Sequence, residues 1–69
     1  MSKSRRLVVN GEPRDVVSGS LAALLEELGY GGQKVATALN GDFVPERVRG
    51  QTHVAPGDEV EIVAPRQGG

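Results

Sequence analysis

The chain has 69 residues and a formal net charge of −1, with no cysteine, no tryptophan, and Tyr30 and Phe43 as its aromatics. That length supplies one small core, and the near-neutral charge gives no whole-domain field to draw the protein to nucleic acid or a membrane surface. The lack of cysteine excludes disulfides, thiolate metal sites and a cysteine nucleophile together.

Aliphatic side chains must therefore carry the fold, within a composition (38 % hydrophobic, 25 % charged) ordinary for a globular domain. Small secreted domains usually add disulfide or metal staples. The longest apolar run is far short of a membrane span, and no charged-then-apolar leader opens the sequence. A cytoplasmic location is the expectation. The cluster Lys3, Arg5 and Arg6 reads as a solvated approach to a first strand.

In chain order, Arg5-Arg6-Leu7-Val8-Val9 is a β-branched run stopped by Asn10-Gly11, whose two residues tolerate the positive φ of a hairpin turn. Arg14-Asp15-Val16-Val17 returns as the second strand, with Pro13 near the turn, where a missing N–H does least harm. Leu21, Leu24, Leu25 and Leu28 then fall at i, i+3, i+4 and i+7, one apolar helical stripe. Ser20 is placed to cap its N-terminus and Gly29 to end it in the left-handed region.

Residues 30–34 form a Gly-rich connection. Val35-Ala36-Thr37-Ala38-Leu39 reads as a third strand ended by a second Asn-Gly, Asn40-Gly41. Val35, Thr37 and Leu39 make up its core face, and Ala36 and Ala38 the other. Phe43-Val44 extends briefly before Pro45, and residues 46–55 read as irregular or as a short edge strand. After the turn signal Pro56-Gly57-Asp58, the run Glu59-Val60-Glu61-Ile62-Val63 alternates cleanly, with Val60 and Ile62 inward. The expected core joins Leu24, Leu25, Leu28, Val60 and Ile62 with Leu7 or Val9 and Leu39.

One helix cannot cover both faces of such a sheet, so an α+β domain with one open face results. Hairpin, crossover helix and a strand beside the first make a β-grasp of four to five strands, whereas a ferredoxin-like fold would need a second helix. The domain occupies residues 1–64, and residues 65–69 form a C-terminal tail.

Within the domain the usual catalytic constellations are missing. His53 is the single histidine, beside a turn, and reads as a surface residue. Glu26, Glu27, Asp42, Glu46, Asp58, Glu59 and Glu61 are scattered and do not make the paired, buried set that acid–base chemistry needs. Gly31-Gly32 lacks the spacing of a phosphate loop. The tail, Ala64-Pro65-Arg66-Gln67-Gly68-Gly69, differs in kind. Two glycines without Cβ let a backbone enter a narrow cleft and present a terminal carboxylate. Six extended residues reach roughly 20 Å at about 3.3–3.6 Å each, enough to thread a pocket while the domain docks outside.

Several stretches together resemble the thiamine-biosynthesis sulfur carrier (ThiS-like) family of ubiquitin-like proteins. They are Val9-Asn10-Gly11, Leu24-Leu25-Glu26-Glu27-Leu28-Gly29, Ala38-Leu39-Asn40-Gly41 with Val44-Pro45, and Gly57 through Val63 running to Gln67-Gly68-Gly69. Pro65-Arg66 departs from the pattern, since such tails often carry an apolar residue there. The resemblance implies a β-grasp fold and a protein co-substrate rather than an enzyme. An E1-like activating enzyme, using ATP and Mg²⁺, would adenylate the Gly69 carboxylate, and a sulfur donor such as a cysteine desulfurase would convert it to a thiocarboxylate. A thiazole synthase would accept that sulfur. Gly68 would give access to the cleft, and Ala36, Ala38, Val63, Pro65, Arg66 and Gln67 would meet the partners. The chain itself would bind no cofactor or metal, no nucleic acid and no membrane, and would be monomeric when free. A molybdopterin-synthase small subunit, a ubiquitin-like modifier and a non-catalytic β-grasp interaction module stand as alternatives.

Overall fold

The computed structural model describes residues 4–64. Two antiparallel hairpins and a final strand build one five-stranded sheet. Strands β1 (Arg5–Val9) and β2 (Glu12–Val16) form the first hairpin, and helix α1 (Leu21–Glu27) follows. The second hairpin is β3 (Ala36–Leu39) with β4 (Asp42–Val44). A 3₁₀ helix, Glu46–Gln51, then leads to β5 (Glu59–Val63). The strand order is β2-β1-β5-β3-β4, with β5 parallel to β1 and antiparallel to β3. This mixed sheet with one α-helix on one face is the β-grasp expected from the sequence.

The core is aliphatic. Leu7, Val9, Val16, Val44, Val60 and Ile62 from the sheet meet Leu21, Leu24 and Leu25 of α1, and Val54 closes the cluster. Ser20 caps the helix as its spacing predicts, its hydroxyl accepting from the Ala23 N–H at 3.1 Å. The chain leaves through Gly29 at φ +92°, a conformation costly for any residue with a Cβ. Seven residues are too few for a helix to persist alone, so α1 is held by its apolar stripe and by its connections. One is the bond from Leu21 N–H to the Thr52 carbonyl, 2.8 Å. Another is Glu27, whose carboxylate accepts from the Val17 and Ser18 amides and the Ser18 hydroxyl, fixing the loop from β2 into the helix.

Both Asn-Gly turns adopt the expected conformation, Asn10 at φ +52° and Asn40 at φ +51°. They also do something the sequence did not announce. Asn10 uses its side-chain amide as a surrogate strand: its Oδ1 accepts from Ile62 N–H at 2.8 Å and its Nδ2 donates to the Ile62 carbonyl at 3.2 Å. The β1–β5 ladder thereby continues one step past the point where β1 turns away. Asn40 performs the matching task at the other end of β5, accepting from Glu59 N–H at 2.9 Å and donating to Asp58 at 3.1 Å.

Four details depart from the sequence reading. The second strand is Glu12–Val16, so Pro13 lies inside it, opposite Val8; β2 is an edge strand, where a missing donor is tolerated. Val17 is consequently outside the strand and exposed. Leu28 is only partly buried: it is the C-cap, one position past the last residue of α1, and packs against the margin of the core. Residues 46–51 are a 3₁₀ helix rather than an edge strand. This 3₁₀ helix is pinned by Arg49, a residue only 8 % exposed. Arg49 Nε donates to the Thr37 hydroxyl at 3.0 Å and Nη2 donates to the Val35 carbonyl at 2.7 Å. Thr37 in turn donates to the Val44 carbonyl at 2.8 Å.

Candidate functional site

The face of the sheet opposite α1 is built from the residues that alternate with the core. Ala36 and Ala38 come from β3, Val63 and Glu61 from β5, and Phe43 from β4. The register sets Ala36 against Val63, Ala38 against Glu61, and Ala38 against Phe43. Of the residues singled out in the sequence, Ala36, Ala38 and Val63 are thus brought together on one surface. Pro65, Arg66, Gln67, Gly68 and Gly69 lie outside the described residues.

Phe43 is the residue that sequence reasoning passed over. It is 69 % exposed and Val63 61 % exposed, and with the two alanines between them they form an apolar patch on a small domain. A large aromatic held in water on an ordered strand marks an interaction surface more often than an accident. The available signal was the alternation of β4 itself: Val44 is buried, so Phe43 beside it must face outward.

Farther along the same face the character changes. Arg6 and Asp15, opposite one another on β1 and β2, form a two-pronged ion pair with contacts of 2.9 and 3.1 Å. Hydrogen bonding to Arg6 holds the Asp15 carboxyl below its ordinary range. Both groups are well exposed, and such pairs contribute little to stability. Their effect is to make the β1–β2 end of the open face polar and the β3–β4 end apolar, a surface with direction.

The patch lies where β5 ends, since Val63 is the last residue of that strand and pairs with Ala36. Any segment continuing past Ala64 starts at the border of the patch. No group of three or more histidine or acidic side chains among the described residues is arranged to hold a metal ion. His53 is exposed and makes only a bridge to Ser20. No helix among the described residues is long and apolar enough to cross a membrane. What Ala36, Ala38, Phe43 and Val63 offer is an exposed apolar surface beside the end of β5, with no nucleophilic side chain among them.

A model of the ThiS family matches residues 7–69. The crystal structure of the thiamine biosynthesis protein ThiS from Geobacter metallireducens is similar, with a TM-score of 0.78 and 31 % identity over 93 % of this chain and 99 % of that one. A thiazole synthase from Paramagnetospirillum magneticum is 45 % identical over 60 residues, 86 % of this chain; the chain spans only 18 % of that relative's length. The uncharacterized protein ycf40 of Porphyra purpurea is 31 % identical across 100 % of this chain and 99 % of its own.

Proposed function

The chain belongs to the ThiS family, and from that premise we propose that it is a sulfur carrier for thiamine biosynthesis that works through the carboxylate of Gly69. The observation carrying this reading is that the family match runs through Gly68 and Gly69, beyond an open apolar face at the end of β5.

A carboxylate is a poor electrophile because its charge and resonance resist attack. An E1-like activating enzyme, with ATP and Mg²⁺, would convert it to an acyl-adenylate and release pyrophosphate. The terminal sulfur of a persulfide, formed on a partner by a donor such as a cysteine desulfurase, then displaces AMP. Cleavage of the resulting acyl disulfide by a second thiol leaves Gly69 as a thiocarboxylate and the donor as a disulfide. The thiocarboxylate is the nucleophilic sulfur that a thiazole synthase would consume. A segment like this chain forms part of a protein named thiazole synthase, which supports that acceptor over a molybdopterin precursor. The carrier acts as co-substrate, and its partners supply the catalytic groups.

In this reading Ala36, Ala38, Phe43 and Val63 dock on the activating enzyme and the acceptor in turn, with Pro65, Arg66 and Gln67 spanning to the reaction centre. Gly68 passes where a side chain would not fit. Intact-mass spectrometry, after incubation with activating enzyme, ATP, Mg²⁺ and a sulfur donor, tests the proposal. The parent protein gains the mass of one sulfur in place of one oxygen. Gly68→Val folds as the parent does yet stays unloaded. A residue appended after Gly69 removes the carboxylate and abolishes loading. Deleting Gly69 withdraws the carboxylate by roughly 3.5 Å of chain, beyond the tolerance of a reactive alignment. Equal loading of the extended or shortened chain would overturn the assignment. Attachment to lysines instead of a mass gain would point to a protein modifier.

A further inference from the structure

On the helix side of the sheet, α1, the Gly-rich connection and the 3₁₀ helix enclose an open groove of about 680 Å³, lined by Leu25, Glu26, Tyr30, Lys34, Glu46 and Arg49 among others. Arg49 is its unusual member. The residue is more than nine-tenths buried, and among the described residues no carboxylate lies within 4.0 Å of it, the ion pair there being that of Arg6 and Asp15. Burying a guanidinium without a counter-charge is costly, and hydrogen bonds to a hydroxyl and a carbonyl compensate only part of that cost.

The pattern of those bonds shows which part of the group is spare. Nε serves the Thr37 hydroxyl and Nη2 the backbone carbonyl of Val35, just ahead of β3, so one edge of the planar guanidinium is used up. Nη1 has no protein partner among the described residues, yet no enclosed side-chain nitrogen or oxygen is left unsatisfied. Nη1 therefore opens to the groove that Arg49 lines. A guanidinium carries five N–H donors, so the Nη1–Nη2 edge keeps a parallel pair of them. That edge matches the two oxygens of a carboxylate, with contacts of about 2.7–2.9 Å.

We propose that this groove is a binding site for a small amino-acid-like zwitterion, its carboxylate held on the free edge of Arg49. The remaining lining sets the selectivity. Lys34 adds a second positive charge, while Glu26 and Glu46 bring two negative ones. Four charges that cancel offer a compact polyanion such as phosphate no net attraction and leave carboxylates to receive an ammonium group. The groove lies on the side of α1, and Lys34 and Val35 border both it and a shallower hollow beside Ala36 and Val63. The site stands independently of the sulfur-carrier reading.

The test is a titration of the ¹⁵N-labelled full chain at constant ionic strength, following Arg49 Nε–Hε and the backbone amides of Gln33 and Lys34. β-Alanine, propionate and inorganic phosphate are the probes. Saturable shifts confined to the groove are expected, with β-alanine tightest and phosphate weakest. Arg49→Gln should weaken β-alanine binding at least tenfold as read from the Gln33 and Lys34 amides. Should that variant not fold, Lys34→Gln, at an exposed position, should weaken binding severalfold with the spectrum otherwise intact. The proposal is overturned by a parent protein showing no saturable shift, by phosphate binding as tightly as β-alanine, or by unchanged affinity in folded Arg49→Gln or in Lys34→Gln.

Discussion

The two faces of the sheet are written in the same strands, one residue apart, and they have opposite duties. On β5, Val60 and Ile62 are buried against the helix while Val63 stands in solvent; on β4, Val44 is buried and Phe43 exposed. The covered face is uniformly apolar because it is the core. The open face is graded, with an ion pair at β1–β2 and an apolar patch at β3–β4 and the end of β5. The contrast teaches that exposure, not hydrophobicity, separates residues that hold this fold from residues that present it. Val63 and Val60 are the same amino acid in one strand, and only Val60 is buried in the core.

Variants on the two faces sharpen that division. The largest effect belongs to the covered face: Leu24→Ala should cost about 2–5 kcal/mol, out of the roughly 5–15 kcal/mol typical of a whole domain. Urea denaturation checks it, and a parent-like midpoint would mean that the helix is not what covers the sheet. A smaller, pH-dependent effect comes from Glu27, which fixes the loop that delivers the helix to that face. The Ser18 hydroxyl bond, opposed by desolvation and reinforced by the Val17 and Ser18 amides, holds its carboxyl below the ordinary value of 4.5. A carboxyl with a lowered folded pKa contributes stability that is complete above its unfolded value. That contribution is lost as the pH falls through 4.5 toward the depressed folded value. Glu27→Gln should therefore be less stable than the parent at neutral pH and converge with it in acid; parallel acid limbs in the two unfolding profiles would remove Glu27 from the account. Least of all should the open face matter to folding. Phe43→Ser and Ala38→Arg should alter stability by about 0.5 kcal/mol or less, while raising the KM for the carrier in ATP–pyrophosphate exchange by an activating enzyme. If both exchange like the parent, the docking surface lies elsewhere.

Much of this architecture was legible before any coordinates. Leucine spacing located α1, Ser20 and Gly29 marked its ends, the first Asn-Gly pair marked a hairpin and the second marked the end of β3, because each signal is local and rests on backbone sterics. The 3₁₀ helix was illegible for the converse reason. Its sequence, Glu-Arg-Val-Arg-Gly-Gln, has no apolar period, and its anchor is an arginine whose partners lie on β3. An arginine at a buried position contradicts every compositional rule until Thr37 and the Val35 carbonyl are seen beside it. The open face was half legible: alternation placed Ala36, Ala38 and Val63 outward, but the short β4 hid Phe43 from the same logic. Val16, Val44 and Val54 joined the core without being singled out, since single valines near turns carry no periodic signal.

The position of β5 has a consequence for how the molecule comes into being. It is the last strand in the chain but the middle strand of the sheet, between β1 and β3, gripped at one end by Asn10 and at the other by Asn40. Until β5 emerges from the ribosome the two hairpins have nothing to join them, so the sheet closes only when distant parts of the chain meet. Such long-range pairing makes folding slow for a domain of this size. It also makes assembly all-or-none: the strand whose arrival completes the sheet is the one that leads into Gly68-Gly69. A chain that displays Val63 in register beside Ala36 has, by that fact, already folded, so the patch at the end of β5 exists only on finished molecules.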